Sequence, residues 1–177
     1  MGLWADWQAT RARRQRVEVY LNHVLRESDT SVIDGLSSVV GDRHVAMREL
    51  TFSRRALGLI VAERDALDDR TAADVAHQLA SVVASETRRE PSLGALWSER
   101  WLAYTAAFAV RGSPESPATR LSRVLLAGAG MPEPTAEALQ WATQYVQQTR
   151  SSLNEHLRSA FGAASLPEDV RPSALRG

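Results

Sequence analysis

The chain has four histidines, His23, His44, His77 and His156, and these are the first candidates for chemistry. His77 closes the run Asp74-Val-Ala-His77, which sets a carboxylate one helical turn from an imidazole. A helical di-metal centre needs Glu-x-x-His on two helices and two more inward carboxylates. No Glu-x-x-His occurs in this sequence. Asp74 and His77 are therefore the test positions for a metal, and the expectation is that they are ordinary boundary residues. Every one of the 21 basic residues is arginine, and cysteine is missing. Schiff bases, serine–lysine dyads, the P-loop lysine, thiol nucleophiles and cysteine metal sites are thereby excluded. The sequence holds no Gly-x-Ser-x-Gly elbow, no His-Glu-x-x-His and no glycine-rich phosphate loop. Gly128-Ala-Gly130 lacks a third glycine and a preceding strand, so it reads as a helix breaker. No catalytic residue, metal or cofactor is expected.

Two segments suggest nucleic acid. Thr71 to Ala80 resembles the first helix of a helix-turn-helix, with Val75, Ala76 and Leu79 at the apolar and small positions. The turn position is then Ala80 instead of glycine, and Val82 and Val83 keep the apolar stripe in phase, so one continuous helix explains the segment better. In a DNA-binding alternative, Arg88 and Arg89 would contact phosphates. Near the N-terminus, Arg11, Arg13, Arg14 and Arg16 follow Trp4 and Trp7. We expect Trp7 near the apolar face and the arginines on a solvated one. Acidic and basic residues balance at 21 each, which disfavours a general nucleic-acid or membrane-surface binder.

The most aromatic stripe is Trp97, Trp101, Tyr104 and Phe108, at steps of four, three and four. Helical spacing makes it a core face first, because aromatics bury large areas. Its functional reading is a partner surface of Trp97, Arg100, Trp101 and Tyr104, since aromatics and arginine dominate interface hot spots. The last eight residues, Val170-Arg-Pro-Ser-Ala-Leu-Arg-Gly177, resemble the C-terminal targeting peptides of encapsulin cargo proteins, which end in a Ser-Leu-Lys/Arg-like run after a flexible linker. Ala174 interrupts the match between Ser173 and Leu175. The resemblance covers the tail alone and implies docking as an extended peptide.

The elements that must position these residues are helices. The chain has 177 residues, 44% hydrophobic and 24% charged, as in an ordinary globular domain. Apolar residues recur at helical spacing nearly throughout, without an alternating β-branched run or an Asn-Gly hairpin signal. The pattern predicts helices over about 4–26, 31–40, 43–67, 71–89, 92–111, 117–128 and 135–161. Gly41-Asp42, Pro91, the 112–117 linker and the 128–134 breaker cluster separate them. Cap residues are expected at Asp29, Thr30 or Ser31, and at Thr71, Ser92, Ser116 and Thr135. Pro117 is expected at the first position of its helix. The expected fold is an all-α, single-domain bundle of six to seven helices over residues 1–162, with a flexible tail over 163–177.

No apolar run approaches the ~20 residues of a membrane span. Arginines occupy the N-terminal stretch where an export signal would be apolar, so a cytoplasmic protein is expected. The arginine-only usage reads as a bacterial, GC-rich coding bias. The expected function is a non-enzymatic interaction protein: an adaptor, regulator or assembly factor that binds a protein partner through helix faces. Homo-oligomerisation stays open. The alternatives are a helix-turn-helix-like DNA-binding regulator and a helical-bundle metal or cofactor protein.

Overall fold

The computed structural model describes residues 2–65 and 69–161. They form α1 (Gly2–Val24), α2 (Thr30–Val40), α3 (Arg43–Asp65), α4 (Asp69–Arg89), α5 (Pro91–Ala109), α6 (Pro117–Gly128) and α7 (Ala136–Phe161), without a strand among them. The all-α bundle expected from the hydrophobic period is present, element for element. The encapsulin-like tail and the end of the third predicted helix lie outside the described residues.

Helix ends follow the local chemistry. Gly41 closes α2 in the left-handed region at φ 77°, and its N–H bonds to Ser37 O. Asp42 then caps α3 by accepting from the N–H groups of His44 (2.8 Å) and Val45 (3.0 Å). Those backbone bonds hold its carboxyl below the usual range. Ser116 accepts from Thr119 N–H at 3.1 Å ahead of Pro117, and Thr135 accepts from Ala138 N–H at 3.2 Å. Two predicted caps need correction. α4 starts at Asp69, so Thr71 lies buried inside the first turn. α5 starts at Pro91 with Glu90 in the cap position, and Ser92 instead donates its hydroxyl to Glu90. Pro91 thus ends one helix and opens the next, as a ring with no N–H can do only at a first turn.

α3 is the central helix and packs against all six others. The sequence signal was its double apolar stripe: every residue from Arg55 to Ala62 is buried. α7 packs on α6, α3 and α1, while α4 and α5 flank the other side of α3. Arg120 on α6 closes the C-terminus of α5, donating to the carbonyls of Ala107 (2.8 Å) and Val110 (3.0 Å).

Close backbone approach occurs where α1 crosses α3. Tyr20, fully buried, donates its phenol to Gly58 O at 2.8 Å. A Cβ on Gly58 would stand 2.8 Å from both methyls of Val24. Val24 is β-branched and buried, so it cannot swing away. Gly58→Ala is expected to cost about 1–3 kcal/mol by overpacking, despite alanine's better helix propensity. The check is a lower urea midpoint with an unchanged denaturant slope.

Charged groups also tie the helices together. Arg55, on α3, donates twice to Glu86 on α4, at 2.6 and 2.8 Å. Glu49, only 1% exposed, receives Arg100 from α5 (2.8 Å) and Arg48 from its own helix (3.0 Å). Arg100 also donates to Gly128 O at the end of α6, at 3.2 Å. One carboxylate therefore joins α3, α5 and α6.

Candidate functional site

The aromatic stripe of α5 was the sharpest feature of the sequence, and the helix divides it. Tyr104 is 1% exposed and belongs to the core, where burial raises its phenol. Trp97 and Trp101 stack with centroids 6.2 Å apart and are partly buried against the core. Phe52 of α3 meets Trp97 at 5.9 Å. Phe108 lies between the guanidinium groups of Arg64 and Arg150, each 5.9 Å from its ring. Arg100 is held inward by Glu49, whose hydrogen bond keeps it more firmly protonated than a free guanidinium. So of Trp97, Arg100, Trp101 and Tyr104, the two indoles and Arg100 reach the surface in part, and Tyr104 lies inside. Tyr104 is corrected from a partner contact to a core contact, while Arg100 is engaged by Glu49, Glu99 and Gly128 O.

The free surface of α5 lies on its other side. Ala95, Ser98, Leu102, Thr105, Ala106 and Ala109 are exposed. Leu102 is 70% exposed, the highest value for a large apolar side chain among the described residues. α5 carries only two charged residues, Glu99 and Arg100. Leu102 was missed because the aromatic stripe satisfied the expectation of one apolar face. The available signal was that the other side of the helix carries small residues and one leucine with only Glu99 charged, poorer in charge than a solvated helix face usually is.

The other candidates fall in separate places. α4 runs without a break through Ala80, with Val82 and Val83 half-buried, so there is no helix-turn-helix turn in this segment. Arg88 and Arg89 are exposed at its C-terminus, where they complement the helix dipole. Asp74 and His77 line a groove of about 630 Å³ between α1 and α4, facing Arg13, Arg14, Glu18 and Arg70. Among the described residues no cluster of three or more histidines and carboxylates is placed to hold a metal. Trp7, expected near the apolar face, is 54% exposed with the Arg11 guanidinium 5.4 Å from its ring.

Sequence reasoning also missed a pairing of the other histidines. His23 at the end of α1 and His156 near the end of α7 stack face to face, with centroids 3.4 Å apart and rings 11° from parallel. Burial, followed by His156, Arg54 and Arg26, pushes His23 below the usual imidazole range. No pattern in the sequence links residues so far apart. Among the described residues, no helix is long and apolar enough to cross a membrane. Compared with protein-family models, with curated proteins and with solved structures, the chain matches none.

Proposed function

We propose that the chain is a non-enzymatic helical interaction protein that binds a protein partner through the outer face of α5. The observation that carries this reading is Leu102, 70% exposed in the middle of an outer face of small residues whose one charge is Glu99. An isolated exposed leucine is ordinary. A leucine flanked along one helical stripe by Ala95, Ser98, Ala106 and Ala109 is a surface on which another helix can settle closely.

The spacing favours a second copy of this chain as the occupant. Ser98 and Ala106 lie four residues to either side of Leu102, and Ala95 and Ala109 seven. Two such helices crossing antiparallel about a two-fold axis at Leu102 would set Ser98 against Ala106 and Ala95 against Ala109. That is the self-complementarity an isologous interface needs. One helix pair covers less than the roughly 1,600 Å² of a standard interface, so the dimer is expected to be concentration-dependent, with Kd on the order of micromolar. Adaptor, regulator and assembly-factor roles all suit such a surface.

Light scattering on the eluting peak, across a concentration series, tests this. The expected result is a dimer at high concentration that Leu102→Glu converts to monomer while the circular dichroism stays helical. A wild-type chain that stays monomeric well above 100 µM would overturn the second-copy assignment. A dimer that Leu102→Glu leaves intact would remove α5 from the interface.

A further inference from the structure

A second surface feature has a different chemistry. The histidine stack forms one wall of a cleft of about 220 Å³ where the end of α1, the link to α2, the middle of α3 and α7 meet. Arg54, Ser28, Tyr145 and Thr149 line it with His23 and His156. Arg54 donates its Nε to His23 O at 2.8 Å, and among the described residues its two outer nitrogens meet no acceptor. Its position is half-buried, and that burial pushes its pKa down. Asp29 sits in the same cleft, but its carboxylate faces Arg26 at 3.5 Å. Tyr145 is only 8% exposed, and its hydroxyl is sealed from solvent. The hydroxyls of Thr149, Ser28 and Ser53 lie close by and partly offset the rise that burial imposes on this phenol. The outer nitrogens of Arg54 stay open to the cleft and are free to take an acceptor. One acceptor in the cleft would take both of them beside the histidine stack.

The histidines narrow the choice of ligand. Parallel rings stacked face to face direct their in-plane lone pairs side by side, not to a common point. A single metal ion cannot take both, because ligation runs along the lone pair. An anion can accept N–H donation at the stack edge, and it relieves the repulsion that protonating stacked rings would create. We infer that this cleft is a binding site for a small oxyanion, a phosphoryl or carboxylate group gripped by Arg54 beside the His23–His156 stack. The fork of Arg54 suits either group bidentately. It goes beyond the α5 reading and does not depend on it.

Binding should be linked to protons. The groups facing the stack are Arg54 from α3 and Arg26, Glu27 and Asp29 from the α1–α2 link. Burial, His156 and the two arginines favour the neutral form of His23, and a bound anion opposes them. The ligand therefore raises the histidine pKa, so binding takes up a proton and affinity rises as the pH falls. Glu27 and Asp29 act in the same direction as the anion, so they reduce the size of this linkage without reversing it.

Titration of the full chain with sodium sulfate at constant ionic strength, read by NMR at the histidine ring protons, is the direct test. Sulfate keeps its charge across the working range, so any pH dependence belongs to the protein. The expected result is a saturable shift of His23 and His156 with Kd on the order of 1 mM. Affinity should be about tenfold higher at pH 5.5 than at pH 7.5. His156→Phe keeps a stacked ring and should weaken binding about tenfold, and Arg54→Gln should abolish saturation. Parallel titrations with inorganic phosphate and acetate assign the site to whichever anion binds more tightly. Shifts that never saturate, or that chloride reproduces, would overturn the inference. So would unchanged affinity at His23 in His156→Phe, which decides the matter if Arg54→Gln does not fold.

Discussion

Glu49→Ala should be among the most destabilising single substitutions in this chain, with a loss of about 3–5 kcal/mol. The carboxylate is 1% exposed and receives Arg100 through Nε at 2.8 Å and Arg48 through two nitrogens, at 3.0 and 3.1 Å. Truncation removes the acceptor and leaves the cations. Arg48 can turn to solvent, since a third of its side chain is exposed, but Arg100 has only 13% exposure. A cation that loses its buried acceptor costs more than the ion pair contributes, because most of its desolvation is already done and Glu99, at 2.6 Å on the water side, replaces Glu49 only in part. Against a typical total stability of about 5–15 kcal/mol, the loss is a large fraction. At 2–4 °C per kcal/mol for a chain of this size, Tm should fall by roughly 6–20 °C. Glu49→Gln retains one acceptor oxygen and should lose less. Glu99→Ala removes the other carboxylate on Arg100, but Glu99 faces water and its removal should leave Tm nearly unchanged. Thermal melts of the three variants test the order. Equal losses for Glu49→Ala and Glu99→Ala would show that burial is not what sets the value of the pair.

The helices were legible because burial on one face leaves a 3.6-residue period in the sequence, and each break carried a glycine, a proline or a capping side chain. Ser116-Pro117 and Gly41-Asp42 could be read from local chemistry alone, and both act as the residues dictate. The helices expected to start at Thr71 and Ser92 begin two residues and one earlier, at Asp69 and Pro91, because several capping residues were available in each neighbourhood. Charge partners were not legible. Glu49 and Arg100 are 51 positions apart, and His23 and His156 still further, so no local period joins them. Arg100 was grouped with Trp101 because they are adjacent in sequence. Neighbouring residues on a helix point about 100° apart, and this one points to Glu49.

The two sides of α5 show the same limit. Its aromatic stripe identified the inner side correctly at Tyr104. Periodicity could not say that the opposite side would stay uncovered, because that depends on where α4 and α6 dock. Leu102 is exposed because both neighbours lie on the inner half of α5. The sequence records that α5 is poor in charge, with Glu99 and Arg100 alone, and only the packing shows which part is left for another molecule.

Gly128→Ala should destabilise the chain by about 2–4 kcal/mol, against the direction of helix propensity. Gly128 is the last residue of α6, where alanine would ordinarily gain up to about 1 kcal/mol. Here a Cβ would stand 2.5 Å from Arg100 Nε and closer still to Glu49 Oε2. The new methyl must displace the ion pair that joins α3, α5 and α6. The cost therefore combines overpacking with part of the penalty for separating Glu49 from Arg100, and it exceeds the propensity gain. The interpretation has a built-in control. In a Glu49→Ala background the carboxylate is gone, and Arg100, the far end of a flexible side chain, is free to move. Gly128→Ala should then cost little, so the double mutant should be more stable than the sum of the singles predicts by about 1–3 kcal/mol. Urea midpoints of the four proteins measure that coupling. Additive losses, within about 0.5 kcal/mol, would mean that Gly128 is required for a reason unrelated to the Glu49–Arg100 pair.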